Sequence, residues 1–255
     1  MSATPRLYVT SDLRRAGFVA MDDAQAKYLT RVLRLKMGDP VRLFNGRDGE
    51  WTAHIDMVEG RSVLLKVDTE RKAQSSAPDL ILLFAPLKKA RTDFVIEKAT
   101  EMGVCAIQPV MTERTQASRV RADRLQKIAL EAAEQTERLD MPLVHEAAAL
   151  DEALDELGEG RTVFFCDEAG DDDSEKWRGE TGRATPILKA LQNSDARSAA
   201  LLVGPEGGFS PGERQSLRNR PNVTPVSLGP RILRAETAVV AALALWEAVL
   251  GDWGV

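Results

Sequence analysis

From Leu80 to Leu250 the chain alternates short strand-like apolar runs with helix-period segments, and no other feature restricts its fold as strongly. Strands are expected at Leu80–Ala85, Cys105–Met111, Thr162–Cys166, Ala200–Val203 and Val223–Ser227. Helices are expected near Ala90–Met102, Ala122–Arg138, Leu150–Leu157, Thr185–Gln192, Pro211–Arg218 and Glu236–Leu250. Strands separated by helices imply a largely parallel sheet covered on both faces, so the class is α/β. Residues before this region follow another pattern. Arg6–Val9, Val41–Asn45, Trp51–Val58 and Ser62–Val67 are short strand candidates punctuated by Asn45-Gly46 and Glu59-Gly60, with one helix from about Asp22 to Arg34. The polar stretch 71–78 reads as a linker. The expected division is a small β-rich domain over residues 1–72 and an α/β domain over 79–255.

Charge bounds the partners. The chain carries a net charge of −5, which argues against a uniformly basic nucleic-acid binder. The charge is uneven, however. Residues 1–72 hold 13 basic and 10 acidic residues, 13 − 10 = +3, and the remainder therefore holds −8, with 12 acids between Asp151 and Glu180. Phosphate recognition needs a local basic surface, which the first segment can supply. The acidic stretch Asp167–Arg183 reads as a surface excursion. Cys105 and Cys166 sit in apolar runs and read as reduced, buried thiols. The two histidines, His54 and His145, have no ligand spacing, so no metal is expected. No apolar run approaches the roughly 20 residues of a membrane helix, and Met1–Val9 has no signal-peptide character. No membrane association and a cytoplasmic location are the expectation.

Two Gly-Pro loops stand at the ends of successive strands: Val203-Gly204-Pro205-Glu206-Gly207-Gly208 and Leu228-Gly229-Pro230. Open α/β sheets bind ligands at that edge. The first loop is neither a P-loop nor G-x-G-x-x-G. Gly208-Phe209-Ser210-Pro211-Gly212 satisfies G-x-S-x-G, the hydrolase nucleophile elbow, so a hydrolase is the rival reading. That fold places its histidine after the serine, and here none follows His145. Ser210-Pro211-Gly212-Glu213 also reads as N-cap, proline at N1 and glutamate at N3. The second loop continues as Arg231-Ile232-Leu233-Arg234-Ala235-Glu236-Thr237-Ala238 into an apolar helix with Val239, Leu243, Trp246 and Leu250 at helical spacing. Core packing is the ordinary role of such a stripe, and a subunit interface the alternative.

Together the two loops resemble the signature loops of the bacterial 16S ribosomal RNA uridine N3-methyltransferases of the SPOUT superfamily. Further matches are Val32-Leu33-Arg34 with Gly38-Asp39, Glu97–Val104, Glu113-Arg114 and Glu134-Gln135, so the resemblance runs from about residue 6 to 250. The family's histidines shortly before Val-Leu-Arg are replaced by Lys27-Tyr28. The resemblance implies a carboxyl-terminal SPOUT domain with a deep trefoil knot and a small amino-terminal PUA-like β-barrel. It also implies a homodimer, S-adenosylmethionine as methyl donor, and 16S ribosomal RNA of the small subunit as substrate. By motif position the cofactor would lie against Cys166, Glu168, Gly204, Pro205, Glu206, Gly207, Leu228, Gly229, Ile232 and Leu233.

Uridine N3 carries a proton near neutral pH and sits on the Watson–Crick edge. The base must be splayed out, the proton must leave, and negative charge builds on O2 and O4. Arg234 is the expected stabiliser of that charge. Glu236 is the expected orienter of Arg234 or proton acceptor, with Glu206 the second candidate. Arg6, Arg31, Arg34, Lys36 and Arg231 are the expected RNA contacts. Two other readings stay open: a SPOUT enzyme acting at a ribose or another base, and a binding module without catalysis. Intact Glu206, Arg234 and Glu236 speak against the latter.

Overall fold

A computed structural model describes residues 4–117, 120–167, 176–177, 180–181 and 184–254. The chain divides into two compact units, Met1–Ser76 with Ala133–Met141, and Ala77–Ala132 with Pro142–Val255. The segment Ala133–Met141 thus returns to the first unit.

The first unit is one five-stranded sheet. Its strands are β1 (Arg6–Tyr8), β2 (Phe18–Ala20), β3 (Pro40–Phe44), β4 (Glu50–Glu59) and β5 (Ser62–Lys72), in the order β1-β3-β4-β5-β2. The β1–β3 pair is parallel and the others antiparallel. Alternation places Val63, Leu65 and Val67 inward, against Leu7, Leu43, Ile55 and Leu29. The sequence pattern does not announce β2, because only its central residue, Val19, is buried. β5 extends to Lys72, into the expected linker. There its Lys72 carbonyl passes so near Gly49 (φ +79°) that a Cβ would lie 2.2 Å away, which only glycine permits. The single helix expected from Asp22 to Arg34 is instead α1 (Asp23–Lys27) followed by a π-helical turn at Tyr28–Val32. Asp22 and Gln25 close the entry as a capping box, and Arg34 at φ +57° ends the segment.

Arg6 corrects an expectation. It is no surface cation: only 6% exposed, it pairs with the fully buried Glu50 at 2.5 Å and donates to the carbonyls of Ala133 and Arg138. Its guanidinium fastens β1 to the returning segment of its own unit and is unavailable to RNA. Arg31, Arg34 and Lys36 are exposed.

The second unit comprises β6 (Asp79–Phe84), α2 (Lys89–Glu101), β7 (Ala106–Met111), α3 (Ala122–Gln135), β8 (Leu143–Val144), β9 (Ala148–Ala149) and α4 (Leu150–Glu156). The last turn of α3 belongs to the first unit. There follow β10 (Thr162–Cys166), β11 (Lys176–Trp177), β12 (Glu180–Thr181), β13 (Thr185–Pro186), α5 (Ile187–Gln192), β14 (Ser198–Val203), α6 (Pro211–Asn219), β15 (Val223–Ser227) and α7 (Ala235–Val249). The strands β13-β15-β10-β14-β6-β7-β8 form a parallel sheet in that order. Pleating divides its side chains. Leu82, Phe84, Ile107, Phe164 and Leu201 pack with α2, α5 and α7, whereas Leu83, Val110, Phe165 and Leu202 pack with α4 and α6. Most of the expected acidic excursion lies outside the described residues.

Of the apolar stripe of α7, Val239, Leu243 and Trp246 are at most 1% exposed in the core of their own unit, and Leu250 is partly buried against the same core.

Candidate functional site

Three adjacent strands end level with one another. Cys166 of β10 pairs in register with Val203 of β14 on one side and Val226 of β15 on the other. The loops that leave these ends wall a cleft of about 380 Å³. Apolar side chains line it, among them Val203, Val226, Leu228, Leu233 and Ala238, together with the backbone of Gly204–Gly208 and Gly229. Two glycines are required here. A Cβ on Gly204 would come within 2.5 Å of the Phe209 ring, and Gly229 holds φ +111°. Ile232 is 87% exposed at the rim of the cleft, unusual for so large an apolar side chain.

Charged residues in the wall of the cleft hold its loops in place. Arg114 donates to the Gly207 carbonyl at 2.9 Å and to the Phe209 carbonyl at 3.3 Å, fixing the first Gly-Pro loop. Asp167, 4% exposed, accepts from Arg214 at 3.1 and 3.2 Å and from Arg218 at 3.0 Å, anchoring α6 beside the end of β10. Burial, and then the Asp167 carboxylate, push the Cys166 thiol up to about 12. It stays protonated at any physiological pH and serves as wall, not nucleophile.

Ser210 settles the rival motif. Its hydroxyl accepts from the Glu213 amide at 3.2 Å, and the Glu213 carboxylate accepts from the Ser210 amide at 2.8 Å and the Glu113 amide at 2.8 Å. Its backbone (φ −69°, ψ 160°) is ordinary extended chain, without the strain of a nucleophile elbow, and the residue is 5% exposed. It caps α6.

Of the charged residues expected to act here, Glu206, Arg231 and Arg234 line this cleft and Glu236 does not. Ile232 and Leu233 line it, as do Cys166, Gly204, Pro205, Gly207, Leu228 and Gly229. Glu168 lies outside the described residues. Glu206 and Glu236 are joined by a residue the sequence reading missed. Arg91, on the first turn of α2, pairs with Glu206 and lies 3.7 Å from Glu236. One oxygen of Glu236 is buried without a hydrogen-bond partner, on a side chain 16% exposed. Arg234 is exposed at the N-cap of α7 and has no carboxylate partner among the described residues. A local signal for Arg91 existed. Lys88, Lys89 and Arg91 crowd the start of α2 with no acid in the first turn, opposite to what the helix dipole favours.

Comparison with known proteins agrees along almost the whole chain. A family model described as an RNA methyltransferase domain matches residues 74–247, and one described as an RNA methyltransferase PUA domain matches residues 21–68. A ribosomal RNA small subunit methyltransferase E of Rickettsia conorii is 32% identical over 94% of this chain and 93% of its own. One of Synechocystis is 34% identical over 96% and 78%. A crystal structure of such an enzyme from Neisseria gonorrhoeae, bound to S-adenosyl methionine, superposes with a TM-score of 0.80 at 29% identity, covering 98% of this chain and 99% of that one.

Proposed function

The chain belongs to the ribosomal RNA small subunit methyltransferase E family, and we propose that it transfers a methyl group from S-adenosylmethionine to N3 of one uridine in 16S ribosomal RNA. The observation that carries this reading is the convergence of Glu206, Arg231 and Arg234 on one cleft at the carboxyl edge of a parallel sheet, with Glu236 tied to it through Arg91. The cleft suits the cofactor. Its volume is within the range of small-molecule sites, its apolar walls match a purine, and its glycines leave backbone groups free to approach.

S-adenosylmethionine, when bound, supplies an activated methyl on a sulfonium, so the protein's work is binding and orientation. Arg234 faces the uracil carbonyls or the adjacent phosphate and stabilises the charge that N3 deprotonation creates. Glu236 takes the N3 proton, with Glu206 the second candidate; the alternative expectation, that Glu236 orients Arg234, has no contact between the two among the described residues to support it. Cys166, Gly204, Pro205, Gly207, Leu228, Gly229, Ile232 and Leu233 hold the cofactor, and Arg231 with Arg31, Arg34 and Lys36 contacts RNA. With this reading go a SPOUT domain with a deep trefoil knot over residues 79–255, a small PUA-like β-barrel over residues 1–72, a homodimer and a cytoplasmic site of action. Among the described residues no helix is long and apolar enough to cross a membrane.

Methyl transfer to small subunits that lack the modification should produce a single new reverse-transcription stop at one uridine, because N3-methylation blocks base pairing. Label incorporation without a stop would move the reaction to a ribose or another non-pairing atom. Bound cofactor with no label would leave a binding module.

Arg91 acts in this scheme as a positioning residue. Arg91→Ala leaves Glu206 and Glu236 unbalanced, and methyl transfer should fall about 10- to 100-fold, the scale of a coupling of about 1–3 kcal/mol. Adding Glu206→Gln should return part of the loss. Equal rates in the single and double variants would mean that Arg91 acts by some route other than charge, and full activity in Glu236→Gln would remove Glu236 from the proton path.

A further inference from the structure

A second cleft, of about 450 Å³, lies against the first, and the two share Pro205, Glu206, Gly207 and Arg114 as a common wall. Five cations line it: Lys88, Lys89, Arg114, Arg121 and Arg124, against one acid, Glu206. Three of these charges are offset locally. Arg124 pairs with Asp93, Arg121 with Asp123 at 2.6 Å, and Glu206 is taken by Arg91. Lys88, Lys89 and Arg114 have no carboxylate partner among the described residues. Both lysines are exposed and open the first turn of α2.

Three uncompensated cations in one concavity are out of character for a chain of net charge −5. Like charges kept this close repel, and an anion relieves them. We propose that this cleft binds the ribose-phosphate backbone beside the target uridine, so that the RNA strand crosses the Pro205–Gly207 wall from one cleft to the other. The proposal rests on the methyltransferase reading for the identity of the strand. A base held over Glu206 in the first cleft must carry its phosphates away from the apolar walls there, and the adjoining cleft is the basic surface that shares Glu206 with it. Arg114 then has two roles. It pins Gly207 and presents the rest of its guanidinium to the strand. This places phosphate recognition within the second unit, in addition to any contribution from Arg31, Arg34 and Lys36.

The test is the salt dependence of binding of the full chain to small-subunit ribosomal RNA, compared between the unmodified protein and Lys88→Ala/Lys89→Ala. Each lost phosphate contact makes the slope of log affinity against log salt shallower by about 0.7 for a single strand or about 0.9 for a duplex. Loss of both lysines should therefore flatten it by about 1.4 to 1.8 with S-adenosylmethionine affinity unchanged. Lys189→Ala, an exposed lysine on α5 away from the cleft, should leave the slope in place. An unaltered slope in the double variant overturns the proposal, and so does an equal flattening in the Lys189→Ala control. A parallel loss of S-adenosylmethionine affinity also overturns it and gives the cleft to the cofactor. Because binding is read, the absence of N3-methyluridine after incubation with the unmodified protein would sink the methylation reading and leave this result standing.

Discussion

Arg234→Ala is expected to slow methyl transfer to small subunits by about 10²–10³-fold, the cost of removing one preorganised donor from developing negative charge. The argument begins with the substrate. N3 of uridine reacts only as its proton leaves, and the charge then rests on O2 and O4. A fixed cation there is worth more in the transition state than in the ground state, so the loss should fall on kcat. Arg234 is the group proposed for this role. It lines the cleft at the N-cap of α7 and has no carboxylate partner to consume its charge among the described residues. Being exposed, it can be truncated without a cavity or a buried orphan. The variant should therefore melt with the parent and bind S-adenosylmethionine nearly as well. Arg234→Lys should recover only part of the rate, because an ammonium cannot reproduce the planar fork of donors. Single-turnover rates on the same subunits decide the matter. A folded Arg234→Ala enzyme with near-parental turnover would take Arg234 out of the reaction.

What the sequence shows and hides follows from the range of each interaction. The five longer strands of the parallel sheet are legible because both of their faces are buried, which leaves apolar runs such as Leu201-Leu202-Val203. Ser210 is legible because its partner, Glu213, is three residues away. The two-residue strands β8, β9 and β13 are too short to leave a pattern. Arg91 is only half legible: the acid-free, basic start of α2 marks it as unusual, but the two carboxylates that give it meaning come from a distant loop and from the first turn of α7, and no local pattern predicts that meeting. The amphipathic segment 22–34 gives the right apolar stripe, with Ala26 and Leu29 buried, but not the switch to a π turn that leaves Val32 64% exposed. Arg6 misleads for the same reason as Arg91. A cation near a chain end reads as a solvated one, and only the tertiary fold supplies Glu50.

The buried position of Arg6 makes its removal a large stability effect. Its Nε donates to Glu50 at 2.5 Å, its terminal nitrogens donate to the carbonyls of Ala133 at 2.7 Å and Arg138 at 2.5 Å, and its guanidinium carbon lies 3.7 Å from the Phe44 ring centroid. Burial lowers the arginine from its ordinary value, with the Glu50 hydrogen bond opposing that shift. Truncation leaves Glu50, fully buried, with Arg71 at 3.1 Å and Arg42 at 3.7 Å on its other oxygen only. Two carbonyls lose a donor as well. Breaking a buried pair by deleting one partner costs about 3–5 kcal/mol, and Arg6→Ala should lower the denaturant midpoint of the first unit accordingly. Arg6→Lys should recover only part of the loss, because an ammonium can restore a charge beside Glu50 but not the planar fork that also reaches the Ala133 and Arg138 carbonyls. RNA affinity should follow folded protein only, so the folded fraction should bind with the parental salt slope. If Arg6→Ala kept its midpoint and instead flattened that slope, Arg6 would be an RNA contact after all and its burial against Glu50 would not be the state that matters.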